Sequence, residues 1–181
     1  MSAAPRQNQE NRENQQTRET VVRWEDTAEA MAALPELAGL EFLRRMISGD
    51  LPGPPISGHV RMDLVAAEEG RVVFRCEPDE SHYNPIGAVH GGLMCTVLDS
   101  ALGCAAHSTL PAGMGYTSID LTVNYLRPVR ADSGPLTCTG TVIKPGRRVV
   151  FAEAEMVDAA GRAVATATGS LLVFPIGPDA A

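Results

Sequence analysis

Apolar and polar positions follow different rhythms along these 181 residues, and each rhythm predicts a different structure. The first stretch, to about residue 22, is dense in Gln, Asn, Glu and Arg and nearly empty of apolar side chains, which predicts a disordered polar tail. From Asp26, a candidate N-cap, to Ser48 the spacing turns helical: Leu37, Leu40, Phe42, Leu43, Met46 and Ile47 fall largely on one face, and Pro35 divides the segment. Leu51-Pro52-Gly53-Pro54-Pro55 reads as a rigid linker. Two strands are expected next, Val60 to Ala67 and Arg71 to Cys76, joined by a short Glu-Gly turn. From Gly92 to about Thr109 period-two alternation disappears, and the Leu, Met and Ala content favours a helix that Leu110-Pro111-Ala112-Gly113 ends. Strands return over Gly115 to Pro128, Leu136 to Ile143, Val149 to Val157 and Ala163 to Phe174, with Gly-, Pro- and Asp-rich turns between them.

The order is a helical arm, two strands, one long helix and a four-strand antiparallel meander, an α+β arrangement. Successive hairpins make one curved sheet, and its apolar face must be covered; the long helix is the cover. The expected divisions are a polar tail (1–22), a helical arm (23–50), one folded domain (51–175) and a short C-terminal tail (176–181).

The stretch YNPIGAVHGGLMCTVLDSALG, Tyr83 to Gly103, carries the candidate chemistry. His90-Gly91-Gly92 opens the long helix, and a helix start leaves backbone N–H groups of Gly91 and Gly92 without intrahelical acceptors, aimed at whatever binds there. Asp99 follows within an apolar run, where an acid loses hydration unless something compensates. An anion-stabilising turn beside a carboxylate describes a reaction site.

These residues carry a resemblance. Asn84, then His90-Gly91-Gly92, then Asp99, then the strand Asp120-Leu-Thr-Val-Asn-Tyr-Leu-Arg-Pro128 resemble the hotdog-fold acyl-CoA thioesterases, nearest the phenylacetate-pathway type, over about Leu51 to Phe174. The resemblance implies a curved antiparallel sheet wrapped around one central helix. It implies that the Gly91 N–H polarises a thioester carbonyl as an oxyanion hole, that Asn84 positions substrate or water, and that Asp99 is nucleophile or general base. Ser118 or Thr117 then orients that water or the acid. A general base must face the carbonyl, so His90 is read mainly as a turn residue and secondarily as catalytic. His82 and His107 are expected at the surface; a Cys104–His107 pair on the helix has no third group to orient it.

One consequence follows from spacing alone. Gly91 and Asp99 are eight residues apart, so they lie about 12 Å apart along one helix, too far for one thioester to touch both. Two such helices packed antiparallel about a two-fold axis bring Asp99 of one chain to Gly91 of the other. A homodimer is therefore the expected minimum unit, and a homotetramer is compatible with it.

Charge and cysteines narrow the partners. A net charge of −7 speaks against a nucleic-acid surface. No apolar run is long enough for a bilayer, and the polar N-terminus lacks the apolar stretch of an export signal. Cys76, Cys95, Cys104 and Cys138 have neither metal-ligand nor redox spacing and read as reduced thiols, so a cytoplasmic location is expected, with neither metal nor cofactor. Coenzyme A, as part of substrate and product, needs cations. Lys144-Pro145-Gly146-Arg147-Arg148, with Arg127 and Arg130 closing the preceding strand, is the expected local basic patch. Two other readings stand beside thioester hydrolysis: a hotdog hydratase, although Gly87 occupies the position where that enzyme's His would be expected, and an acyl-CoA-binding module without turnover, which would have no use for Asp99.

Overall fold

The computed structural model describes residues 17–177, so residues 1–16 of the expected disordered tail and residues 178–181 of the C-terminal tail lie outside it. The arm contains two helices, α1 (Ala28–Ala33) and α2 (Gly39–Ser48), separated at Pro35. The Asp26 carboxylate accepts from the Ala28 N–H at 2.9 Å at the start of α1. Gly49, with φ of 83°, ends α2 in the left-handed conformation. The segment after the proline-rich linker folds into a short helix, α3 (Pro55–Val60), where a strand was expected to begin at Val60. Pro55 suits a first helical position because its missing N–H would have no intrahelical acceptor there.

The remaining elements are β1 (Met62–Glu68), β2 (Arg71–Cys76), α4 (Gly91–His107), β3 (Met114–Tyr125), β4 (Leu136–Lys144), β5 (Val149–Val157) and β6 (Ala163–Pro175). The strands form one antiparallel sheet in the order β1-β2-β4-β5-β6-β3. The expected four-strand meander is thus corrected. Only β4, β5 and β6 follow one another as hairpins, whereas β3 pairs with β6 at one edge and β4 crosses to pair with β2. Placing β4 beside β2 uses the free edge of the first hairpin, and β3 closes the far side.

The helix α4 crosses the concave face. Leu93, Val97, Leu98, Ala101, Leu102 and Ala105 are buried against inward residues such as Val72, Phe74, Cys138, Ala152, Met156 and Leu171. Each large apolar side chain so buried contributes about 1.5–3 kcal/mol. The approach is closest at Gly140 of β4, where an added Cβ would lie 2.2 Å from the Ala101 carbonyl oxygen. Only glycine lets the helix axis sit this near the sheet, and the position of α4 fixes where Asp99 stands. No helix among the described residues is long and apolar enough to cross a membrane.

Candidate active site

At the N-terminus of α4 the three residues of the turn divide the hydrogen-bonding work. His90 is the N-cap, with its Nδ1 accepting from the Gly92 N–H at 2.9 Å and its carbonyl accepting from the Leu93 N–H at 3.0 Å. Its own N–H donates to the His82 carbonyl at 2.8 Å. The Gly91 N–H, between them, donates to no group among the described residues. It is the first donor of a 17-residue helix, at the positive end of the dipole, and is available to a developing oxyanion. The Tyr125 hydroxyl donates to the Gly91 carbonyl at 2.9 Å, a partner the sequence reading missed. The only signal for it is its position at the end of the strand that leads to Arg127-Pro128.

Asn84 organises the loop before this turn. Its Oδ1 accepts from the Ile86 and Ala88 N–H groups, each at 3.1 Å, and its own backbone N–H donates to the Ala88 carbonyl at 2.8 Å. The Nδ2 amide makes no bond among the described residues, so Asn84 can offer a donor but not its carbonyl oxygen to a ligand.

Asp99, part-exposed in mid-helix, meets β3. The Ser118 hydroxyl donates to its Oδ1 at 2.7 Å, while Oδ2 has no bonded partner among the described residues. A bulge between Ser118 and Asp120 makes this pairing selective. Ile119 is the extra residue, so Ser118 stands opposite the buried Leu171 and Asp120 stands opposite Ser170 on the next pair. Ser118 and Asp120, two residues apart, are thereby sorted into separate pairs: Ser118 donates to Asp99, and Asp120 accepts from Ser170. Thr117 is exposed and makes no side-chain hydrogen bond to the acid.

Three titratable side chains behind Asp99, those of Cys104, Tyr116 and His107, are shifted by burial towards their neutral forms. Burial pushes the Cys104 thiol up to about 12, against a hydrogen bond from Tyr116 and with the negative charge of Asp99 adding to the rise. Tyr116 is raised well above its ordinary value, first by burial and then by Cys104. His107 corrects the sequence expectation of a surface residue, being 4% exposed and packed between Phe42 and Tyr116 at ring-centroid distances of 5.7 and 5.6 Å. Burial lowers it to about 4, and neither ring nitrogen has a partner among the described residues. With neither His107 nitrogen bonded to the Cys104 thiol, and that thiol held protonated by burial, the two do not form a nucleophile–base pair. His82 was also expected at the surface, yet only 12% of its side chain is exposed; its Nδ1 accepts from the Asp79 N–H at 3.1 Å. Among the described residues, no three His, Cys, Asp or Glu side chains gather in a metal-binding group.

The expected single basic patch is two groups. The Arg127 guanidinium donates to the Ala163 carbonyl at the start of β6, close to the Arg130 turn. Lys144, Gly146, Arg147 and Arg148 form the β4–β5 turn, beside Val149, which pairs with Leu172 near the other end of β6. Ala163 and Leu172 are separated by roughly 30 Å of strand. In one chain, then, Arg127 lies at the Gly91 end of the molecule. The Arg147 turn lies by Thr109 and Leu110, at the C-terminal end of α4. Linear proximity misled here because the nine-residue length of β4 lies between them.

With the fold and this geometry in place, the relatives are informative. Residues 86–165 match the thioesterase superfamily. A Saccharolobus solfataricus protein named as an esterase is 33% identical over 111 residues, covering 61% of this chain and 77% of that one. Human acyl-coenzyme A thioesterase 13 is 29% identical over 106 residues, covering 58% of this chain and 74% of that one. A solved structure from Ralstonia eutropha, named as a thioesterase and a phenylacetic acid degradation-related protein, superposes with a TM-score of 0.66 at 27% identity, over 72% of this chain and 98% of that one. The chain belongs to the thioesterase superfamily. It is a thioester hydrolase with the hotdog fold, and its fold is similar to that of the phenylacetate-degradation-related structure.

Proposed function

We propose that this thioester hydrolase acts on acyl-coenzyme A, with Asp99 as general base or nucleophile and the Gly91 N–H as oxyanion donor. The observation that carries the reading is the Ser118–Asp99 hydrogen bond at 2.7 Å, made to a helix whose first N–H, that of Gly91, has no partner among the described residues. Ser118 holds one carboxylate oxygen and leaves the other for water or for the thioester carbon. As general base, Asp99 takes a proton from water while the hydroxide adds to the carbonyl. Negative charge then gathers on the oxygen that the Gly91 N–H receives. Collapse expels the coenzyme A thiolate.

The site is proposed to draw on two chains. The gap of about 12 Å between Gly91 and Asp99 within one helix exceeds the reach of a single carbonyl. One side of β3, a 12-residue strand at the sheet edge, has no strand partner among the described residues. Its Ile119 and Tyr125, and Leu126 just beyond, are at least half exposed (55%, 52% and 50%), as suits an edge that meets a second copy. An antiparallel two-fold there would also bring the Arg127 end of one chain beside the Arg147 end of the other, so both cationic groups could serve the phosphates of one coenzyme A.

Thiol release from a panel of acyl-CoA thioesters tests this reading. The wild type should release free coenzyme A, and Asp99→Asn should lower kcat by about 10²–10⁴ while keeping the fold. Enoyl absorbance changes without thiol would favour a hydratase, and saturable binding without either would favour a binding module.

A further inference from the structure

A cavity of about 620 Å³ lies between the N-terminal arm and the C-terminal half of α4. Met31 of α1, Phe42 and Met46 of α2, Cys104 and His107 of α4, and Ser118 of β3 all line it. Ser118 is the residue that donates to Asp99, so the cavity wall and the reacting carboxylate share a side chain. Taking a water as ~30 Å³, the space holds about twenty water-sized groups, far more than an acetyl group would fill.

Three features say what belongs there. Among the described residues, no Asp, Glu, Lys or Arg lines the cavity. Its titratable members are uncharged at neutral pH, because burial raises Cys104 to about 12, lowers His107 to about 4 and raises Tyr116. A phosphate or a second carboxylate would therefore enter without a counter-charge, at a large desolvation cost. The apolar part of an acyl-CoA is its acyl group, and the acyl carbonyl has to sit beside Asp99. Two of the walls are methionines, whose flexible thioethers adapt to chains and rings alike.

The arm lies outside the matched family region, which begins at residue 86, downstream of both arm helices. Its first helix is lightly held. Ala30 is the only buried residue of α1, and Met31 is 70% exposed while still facing the cavity.

We infer that this cavity is the acyl subsite, that it takes uncharged and largely apolar acyl groups, and that Met31, Phe42 and Met46 of the arm set the acyl size accepted. This inference rests on the acyl-CoA reading above, and its test is built to fail separately.

Dodecyl-CoA and ethyl-CoA thioethers, which cannot be hydrolysed, are titrated calorimetrically into the full chain, with an ω-carboxylated thioether of dodecyl length as third probe. Dodecyl-CoA should bind at least about tenfold tighter than ethyl-CoA, and the carboxylated probe should lose that advantage. Met46→Trp, which fills the cavity, should collapse the preference for the long chain. Should Met46→Trp fail to fold, Met31→Trp on the exposed α1 asks the same question. Equal affinities for the two alkyl thioethers would overturn the assignment, and so would a preference untouched by folded variants. If the variants change the oligomeric mass and leave the preference intact, the cavity is a contact between copies and the assignment also falls. A carboxylated probe that binds as tightly as dodecyl-CoA would overturn the claim about charge. Chain preference in thioether binding with no thiol release from any acyl-CoA would sink the hydrolase reading and leave the cavity standing. Thiol release without chain preference would do the reverse.

Discussion

Tyr125 meets Gly91 in two ways at once: its hydroxyl donates to the Gly91 carbonyl at 2.9 Å, and its ring lies in tight contact with the place a Cβ would take. A Cβ built on Gly91 would lie 3.0 Å from the Tyr125 Cζ and 3.1 Å from its hydroxyl oxygen. The proposed oxyanion donor is therefore held through its carbonyl by a strand residue 34 positions downstream, across the N-terminal end of the helix.

This contact makes a specific expectation for a pair of variants. Gly91→Ala should destabilise the protein by about 1–3 kcal/mol through overpacking against the ring. In a Tyr125→Ala background the same substitution should cost much less, because the obstructing ring is gone. Urea denaturation of the single and double variants measures the coupling. Strictly additive losses would mean that the ring yields freely and does not define the position.

Ser118 and Thr117 are neighbours on β3 with different tasks. Ser118→Ala removes a hydrogen bond to the carboxylate, worth about 1.5–3 kcal/mol when one partner is charged, and should lower kcat by about 10- to 100-fold. Ser118→Thr keeps a hydroxyl and should recover part of that loss. Thr117→Ala should leave kcat within a few-fold of wild type, since Thr117 makes no side-chain bond to Asp99. Steady-state thiol release on the three variants checks the contrast, and equal effects at the two positions would contradict the assignment to Ser118.

How much of this was legible in the sequence depends on the range of the interaction. The helix from Gly91, the β1–β2 hairpin and the β4–β5–β6 hairpins follow from local period and turn residues, and the strand ends expected for β4, β5 and β6 fall within a residue or so of those observed. The pairing of β3 with β6 has no local signature, because an edge strand and a meander strand have the same alternation. The basic residues were grouped by closeness in sequence, and the nine-residue length of β4 between them carries Arg147 to the end opposite Arg127. Asp99 stood out as an acid in an apolar helix, whereas Tyr125 and the burial of His107 depend on side chains that meet only after the sheet has curved.

His107 brings a pH dependence with a definite sign. Burial lowers it from 6.5 to about 4, so the unfolded chain binds the proton more readily than the folded one between those values. Stability contributed by neutral His107 is present above pH 6.5 and is lost as the pH falls towards 4. The full shift corresponds to roughly 3 kcal/mol at about 1.4 kcal/mol per unit. Denaturation at pH 7.5 and pH 4.5 should show a smaller acid loss in His107→Phe than in the wild type. An identical acid loss in both would mean that His107 does not titrate as burial requires.

The central claim is that Asp99 of one chain and Gly91 of another act on one thioester, and mixed dimers test it most directly. Asp99→Asn removes the acid, and Gly91→Pro, made in a Tyr125→Ala background that clears room for the added ring, removes the oxyanion N–H at a first helical position that proline's backbone fits. Each homodimer should be folded and nearly inactive. Reannealed heterodimers, confirmed by mass, contain one pocket with the intact Asp99 of one subunit and the intact Gly91 of the other. They should regain thiol release at up to about half the wild-type rate, because two pockets are arranged by the two-fold axis and one is whole. Folded heterodimers as inactive as their parents would contradict the shared site and, with it, the antiparallel pairing of the two helices.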